Sequence, residues 1–311
     1  MAFFILIFIA GINIMFYYFK RLRSKKILCY TGLLFFLYIS YLHPQGIWGK
    51  VNSPTEQDLK SVFFIDSLYG WAVGDAGIII HTTNSGIDWY IQSSNTQNII
   101  ADIFFINKYT GWASSWNTAT PPFGTILLRT TDGGDNWDQV LYPGENIFIT
   151  CILFPDSLVG WMGGKPHALV KSDDGGFSWQ QAEIDTSILA FLPVLNIKFF
   201  NSQYGYASGG AFENAGVIWN TTNGGDKWFA IDRVFAPPDP VHQIHLFDSL
   251  NVIGSSGDRE VFGVGMIRTT DGGGFWEYNN IGIQGVAYDL EFRTDYNAWA
   301  ALGSAETLIY S

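Results

Sequence analysis

The sequence predicts an all-β chain folded as a β-propeller of four-stranded blades. Three observations carry this. An eight-residue box recurs five times, at Thr82–Trp89, Thr130–Trp137, Ser172–Trp179, Thr221–Trp228 and Thr269–Trp276. Its tryptophans are spaced 48, 42, 49 and 48 residues apart. A second element keeps the same beat, from "FIDSLYGWA" (64–72) through "FRTDYNAWA" (292–300), six times in all. A period of about 40–50 residues holding four short strands is that of a propeller blade. A pair of β-sandwiches and a β-helix are the competing architectures.

In the first unit, Ser61–Ile65 is apolar and reads as the first strand. Asp66–Gly70 is a turn, Trp71–Gly74 the second strand, Ile78–His81 the third and Trp89–Gln92 the fourth. Val, Ile, Phe, Trp and Tyr fill the strands, and Gly, Asn and Asp bound them. The box therefore sits between strands three and four. Its Asn84, Asp132, Asp174, Asn223 or Asp271 is placed to accept hydrogen bonds from backbone N–H groups two or three residues on, closing an Asx-type turn. Gly86, Gly134, Gly176, Gly225 and Gly273 permit a positive φ. Trp89, Trp137, Trp179, Trp228 and Trp276 pack beneath the hairpin. Asn replaces Asp in two of the five boxes. A backbone brace tolerates that exchange, whereas a general acid or a hard-cation site loses its charge. The box is accordingly structural. Five complete repeats and a partial sixth are expected, the chain being truncated from a seven-bladed ring. An open gap or strained closure is expected where Trp48–Val51 would meet Leu308–Tyr310.

Residues 1–47 differ from the rest. Phe3–Phe19 and Ile27–Leu42 are apolar and flank the basic cluster "KRLRSKK" (20–26), with no acidic residue. They read as a signal peptide or a membrane anchor, starting at Met1 or Met15, with the propeller (48–311) exported. That remainder carries 12 basic and 28 acidic residues, a net of −16. Nucleic acid and anionic lipid are not attracted by such a domain. Contact with a membrane is then expected only through the N-terminal segment. The two cysteines, Cys29 and Cys151, imply no disulfide framework.

The alternation of F-x-D-x-x-x-G-W-A with T-T-D-G-G-x-x-W resembles the Asp-box, or BNR, repeat of the photosystem II stability/assembly factor family. The likeness covers Trp48–Ser311. It implies a non-catalytic, exported assembly factor holding a partner polypeptide. Asp-boxes also occur in sialidases and other glycoside hydrolases. Against that chemistry, no R-I-P motif occurs, and Arg129 and Arg268 precede boxes at a repeated position on what reads as a solvated strand face. Glu213, Asp258 and Glu260 are the carboxylates that loops could bring together. His242 and His245 point to opposite faces of a strand. No catalytic residue, metal or cofactor is assigned.

Blade geometry puts the one-to-two and box turns at one end, and the two-to-three loops and interblade links at the other. The second end varies in length and sequence. There Trp116, Phe123, Phe191, Phe212, Phe235 and Phe262, with Arg233 and Arg259, are the candidate face for a protein or peptide partner, on a monomer. A carbohydrate-active enzyme or lectin, and a structural module of a larger surface protein, are the alternative functions.

Overall fold

The computed structural model describes residues 50–185, 189–257 and 263–303. The described residues from Val51 onward form one compact unit. Blade 1 contains β1 (Leu59–Phe64), β2 (Gly70–Gly74), β3 (Ile79–Thr82) and β4 (Tyr90–Gln92). Blade 2 contains β5 (Ile99–Phe105), β6 (Gly111–Asn117), β7 (Gly124–Thr130) and β8 (Asp138–Glu145). Blade 3 contains β9 (Phe148–Leu153), β10 (Gly160–Lys165), β11 (Ala168–Ser172) and β12 (Gln180–Gln181). Blade 4 contains β13 (Val194–Phe199), β14 (Gly205–Ala211), β15 (Ala215–Thr221) and β16 (Phe229–Ala230). Blade 5 contains β17 (Gln243–Leu246), β18 (Val252–Gly257), β19 (Val264–Thr269) and β20 (Glu277–Asn280). Each is an antiparallel sheet in the order 1-2-3-4, and β21 (Val286–Thr294) pairs with β22 (Asn297–Gly303) as a two-stranded sheet. This is the expected propeller. Of the residues expected to form its closure, Lys50 and Val51 lie in no strand, while Trp48, Gly49 and 308–310 lie outside the described residues, as does the N-terminal segment.

Why the two motifs alternate is visible in the packing. The glycine of each G-W-A or G-Y-A lies under the phenylalanine of its own first strand. A Cβ at Gly70, Gly111, Gly160 or Gly205 would overlap the ring of Phe64, Phe105, Phe154 or Phe199 respectively. The aromatic residue that follows crosses to the next blade. Trp71 stacks on Phe105 with centroids 3.6 Å apart, Trp112 on Phe154 at 3.9 Å and Trp161 on Phe199 at 5.7 Å. Each phenylalanine then meets the box tryptophan of its own blade edge-on: Phe105 with Trp137, Phe154 with Trp179 and Phe199 with Trp228. One aromatic relay per junction thus joins strand two of a blade to strand one and the box of the next. In blade 5 the pattern changes: Tyr206 meets Trp276 directly, and its hydroxyl donates to the Ser249 carbonyl. Burying these rings stabilises each junction by several kcal/mol, at about 25 cal/mol per Å² of apolar surface.

Candidate functional site

The box turn is a closed hydrogen-bonded unit. Thr82, Thr130, Ser172, Thr221 and Thr269 donate their hydroxyls to the Asp or Asn two residues on, at 2.7–3.0 Å. The same hydroxyls accept from the N–H of the glycine four residues on. The Asp or Asn accepts from the N–H four residues ahead, at 2.9–3.1 Å. The reach is therefore longer than the two or three residues expected. Asp174 also takes the N–H three residues on. The cause is the two consecutive left-handed residues, such as Gly133 and Gly134 with φ of 79° and 93°, which fold the chain back on itself. Ser85 adopts this conformation without being glycine, at φ 66°.

The one-to-two turn is a second Asx turn. Asp66, Asn107, Asp156, Asn201 and Asp248 each accept two backbone N–H groups. A backbone bond ties the two turns of every blade together, for example Gly133 N–H to the Tyr109 carbonyl at 2.8 Å. The carboxylates answer to this geometry. The Asn136 side-chain amide, then its backbone N–H and the Thr130 hydroxyl, hold Asp132 down to about 2. Ser178 and Ser172 do the same for Asp174, also to about 2.

At the opposite end, each two-to-three loop is bonded to the link that follows its blade. The Ser94 hydroxyl donates to the Gly77 carbonyl, Asn146 N–H to Phe123, Gly216 N–H to Pro237 and Val264 N–H to Ile283. His167 Nδ1 lies 2.9 Å from the Leu192 carbonyl. The candidate partner-binding residues separate here. Phe123, Phe191 and Arg233 are exposed. Trp116 is half-buried and turned inward: its indole N–H donates to the Ile149 carbonyl at 2.6 Å, and its ring meets Phe148. Phe212 packs on His242, whereas Phe235, expected on this face, packs instead on Phe275 beside the blade 5 box glycines, because its link runs back along the outer edge of the neighbouring blade. Arg259 and Phe262 lie outside the described residues, as do Asp258 and Glu260; Glu213 is exposed in the β14–β15 turn.

Among the described residues, no cluster of His, Cys, Asp or Glu has the arrangement of a metal site. His242 and His245 sit in aromatic surroundings, beside Tyr288 and Phe292 respectively. Cys151 is buried in β9, and burial, with the nearby Asp102 carboxylate, pushes its thiol above the usual range. Arg129 is not on a solvated face. Its guanidinium lies 3.9 Å from the centroid of Phe177 in the next box. Arg268 pairs with Glu277 at 2.8 Å.

The feature not anticipated from sequence is the central channel, a cavity of about 960 Å³. Ser61, Asp102, Asn196 and Asp289 face it, each three residues before the first-strand phenylalanine of its blade. That periodicity is the signal that could have found them. Asp102 links three blades: it accepts from the Ser61 hydroxyl at 2.7 Å and from Ile152 N–H at 2.8 Å. Burial pushes its carboxyl up to about 6 despite those bonds.

Comparison with known proteins is consistent with this architecture. The family model for the photosynthesis system II assembly factor YCF48 matches residues 43–153 and 94–241, together more than half of the chain. The photosystem II assembly lipoprotein Ycf48 of Synechococcus sp. (strain CC9902) is 28% identical over 150 residues. That match spans 48% of this chain and 41% of the relative. The solved structure of a YCF48 bound to a D1 peptide superposes with a TM-score of 0.55 at 17% identity, over 85% of this chain and 94% of that one. An ancestral GH74 enzyme superposes at 0.59 and 17% identity, over 78% of this chain and 33% of that one. At such identities the superpositions show the fold alone.

Proposed function

The chain belongs to the photosystem II assembly factor YCF48 family, and on that premise we propose that its propeller is a non-catalytic, exported scaffold that holds a polypeptide partner on the variable-loop end. Family membership is the observation that carries the reading. Three further facts support it. The Ycf48 relative is a lipoprotein, which accords with a position outside the cytoplasm. A YCF48 of the same fold is bound to a D1 peptide. The variable end of this chain presents Phe123, Phe191 and Arg233 on backbone already held by loop-to-link bonds, so binding orders little further chain. The Asp-box residues serve as braces in this reading, and the N-terminal residues supply export or attachment.

The test is capture of a panel of synthetic D1-derived peptides by the immobilised full chain. Replacing Phe123 and Phe191 with serine is expected to weaken capture by about tenfold or more, with an unchanged melting temperature. Unchanged capture by that variant refutes the assigned face. Turnover of a xyloglucan or sialoside by the purified chain refutes the non-catalytic reading.

A further inference from the structure

The box end carries chemistry that its bracing role does not use. Among the described residues, the tips of its turns are apolar and stand in solvent. Ile87 is 72% exposed, Phe177 69% and Tyr296 93%, and Tyr109, Leu158 and Leu250 are also exposed. Leu68, Tyr109, Leu158, Leu250 and Tyr296 occupy the same one-to-two turn tip in five repeats. Ile87 and Phe177 share the fifth of the six positions after the opening Thr or Ser of their boxes that precede its Trp. Except at Tyr296, whose turn is held by the Thr294 hydroxyl, the backbone beneath them is fixed by the two Asx turns and the bond between them, so these tips project at regular intervals around one end of the propeller.

The same turns are strongly acidic. The one-to-two turns (65–69, 106–110, 155–159, 200–204, 247–251, 295–296) and box turns (83–89, 131–137, 173–179, 222–228, 270–276) hold eleven aspartates against Lys108 and Lys227. Arg129 over Phe177, Lys171 paired with Asp173 and Arg293 in the sixth one-to-two turn offset three of these charges, so this end remains acidic with a net of about −6. The apolar tips already receive cations from their own chain: Arg129 lies over Phe177 at 3.9 Å and Lys108 over Tyr109 at 4.9 Å. Such contacts are favourable over an aromatic face.

We propose that the box end is a second docking surface, for a polypeptide segment in which lysines or arginines are interleaved with apolar residues. The apolar tips would cover its hydrophobic side chains, and the surrounding aspartates would steer and pair its cations. An anionic bilayer is repelled by this charge, and so is an identical box end on a second copy.

The test uses the immobilised full chain and a synthetic Lys/Leu amphipathic peptide of about 18 residues. Binding is expected, and it is expected to weaken with added salt. The triple variant Ile87→Ser/Leu158→Ser/Leu250→Ser is expected to bind about tenfold more weakly at an unchanged melting temperature. Asp135→Asn/Asp226→Asn, at exposed aspartates outside the Asx braces, is expected to slow association. Phe123→Ser, at the other end, is expected to change nothing, which separates this surface from the proposed partner face. The inference is overturned by equal binding of a Lys/Gly peptide of the same charge, or by unchanged binding in both box-end variants. It is overturned equally by preferred capture of phosphatidylglycerol vesicles, or by self-association that the triple serine variant abolishes.

Discussion

Phe64 and Phe105 hold the same position in consecutive repeats, so the sequence motif alone assigns them equal weight. The structure does not. Phe105 is fully buried, with Trp71 stacked on one side at 3.6 Å and Trp137 edge-on at 5.9 Å. Phe64 is 43% exposed and keeps only the edge contact with Trp89 at 5.9 Å. Truncating a fully buried phenylalanine costs about 3–5 kcal/mol. Two aromatic contacts, each contributing ~0.5–1.5 kcal/mol beyond burial, place Phe105→Ala near the upper end of that range. Phe64→Ala loses roughly half the burial and one such contact, about 1.5–2 kcal/mol. For a domain of this size, 1 kcal/mol corresponds to about 2–4 °C in melting temperature. Phe105→Ala is thus expected to melt ~10–15 °C below wild type and Phe64→Ala ~4–6 °C below. Calorimetry on both purified variants measures this. Equal losses refute the reasoning, because they require Phe64 to be as fully covered as Phe105.

Three further outcomes are expected. Gly225→Ala should cost about 3 kcal/mol, since φ is +86° and a Cβ there would overlap the buried Trp161 ring, while Gly86→Ala, whose Cβ meets only ordinary contacts, should cost about 1 kcal/mol. Asp132→Asn should leave the melting curve close to wild type, because Asn84 already makes the equivalent bonds and the Asn136 amide reverses to accept, whereas Trp137→Ala should cost about 3–5 kcal/mol; matched large losses would mean the charge itself is needed. Asp102, whose folded pKa near 6 stands above its ordinary value of 3.8, favours folding most below about pH 4, and that contribution is lost as pH rises through 6. Relative to Asp102→Asn, whose oxygen still accepts from Ile152 N–H while its amide donates to the rotated Ser61 hydroxyl, wild type should therefore lose up to about 3 kcal/mol between pH 4 and pH 7.5 in urea melts, and a flat difference would show that the carboxyl is solvated.

The strands and turns were legible because their determinants are local. The apolar run, the Asp or Asn, the glycine and the tryptophan all lie within one repeat, and strand boundaries in blade 1 fall within two residues of expectation. What crossed between repeats was not legible. Trp116 looked like an exposed loop residue, but the Ile149 carbonyl, 33 positions away, captures its N–H. Phe235 meets Phe275, and Arg129 covers Phe177, for the same reason: in a propeller the nearest neighbour of a blade residue is often one period away. The channel residues were missed because a polar residue inside a strand reads as outward-facing until the strand is known to be innermost. The acidity was visible as a total, but which aspartates share the box end follows only from the topology.

The two ends are rigid for different reasons, and this decides how each would hold a partner. At the box end every tip is presented by the same pair of Asx turns, so neighbouring blades offer near-equivalent contacts separated only by the rotation from blade to blade. Each contact alone is small and partly replaceable by the next, so single substitutions there should read as weak and multiple ones as strong. At the other end the loops differ in length, and each is bonded to a different link. Phe123, Phe191 and Arg233 therefore have no equivalents in neighbouring blades. Removing one leaves its place on the partner uncovered, which is the behaviour of a hot spot. On the proposed assignment, a partner held at the variable end would be recognised by a few specific side chains. A segment lying along the box end is recognised by charge and repeated apolar spacing, and tolerates a shift of one blade. Binding that survives single substitutions at the box end and fails on single substitutions at the variable end is the pattern that this division of the propeller requires.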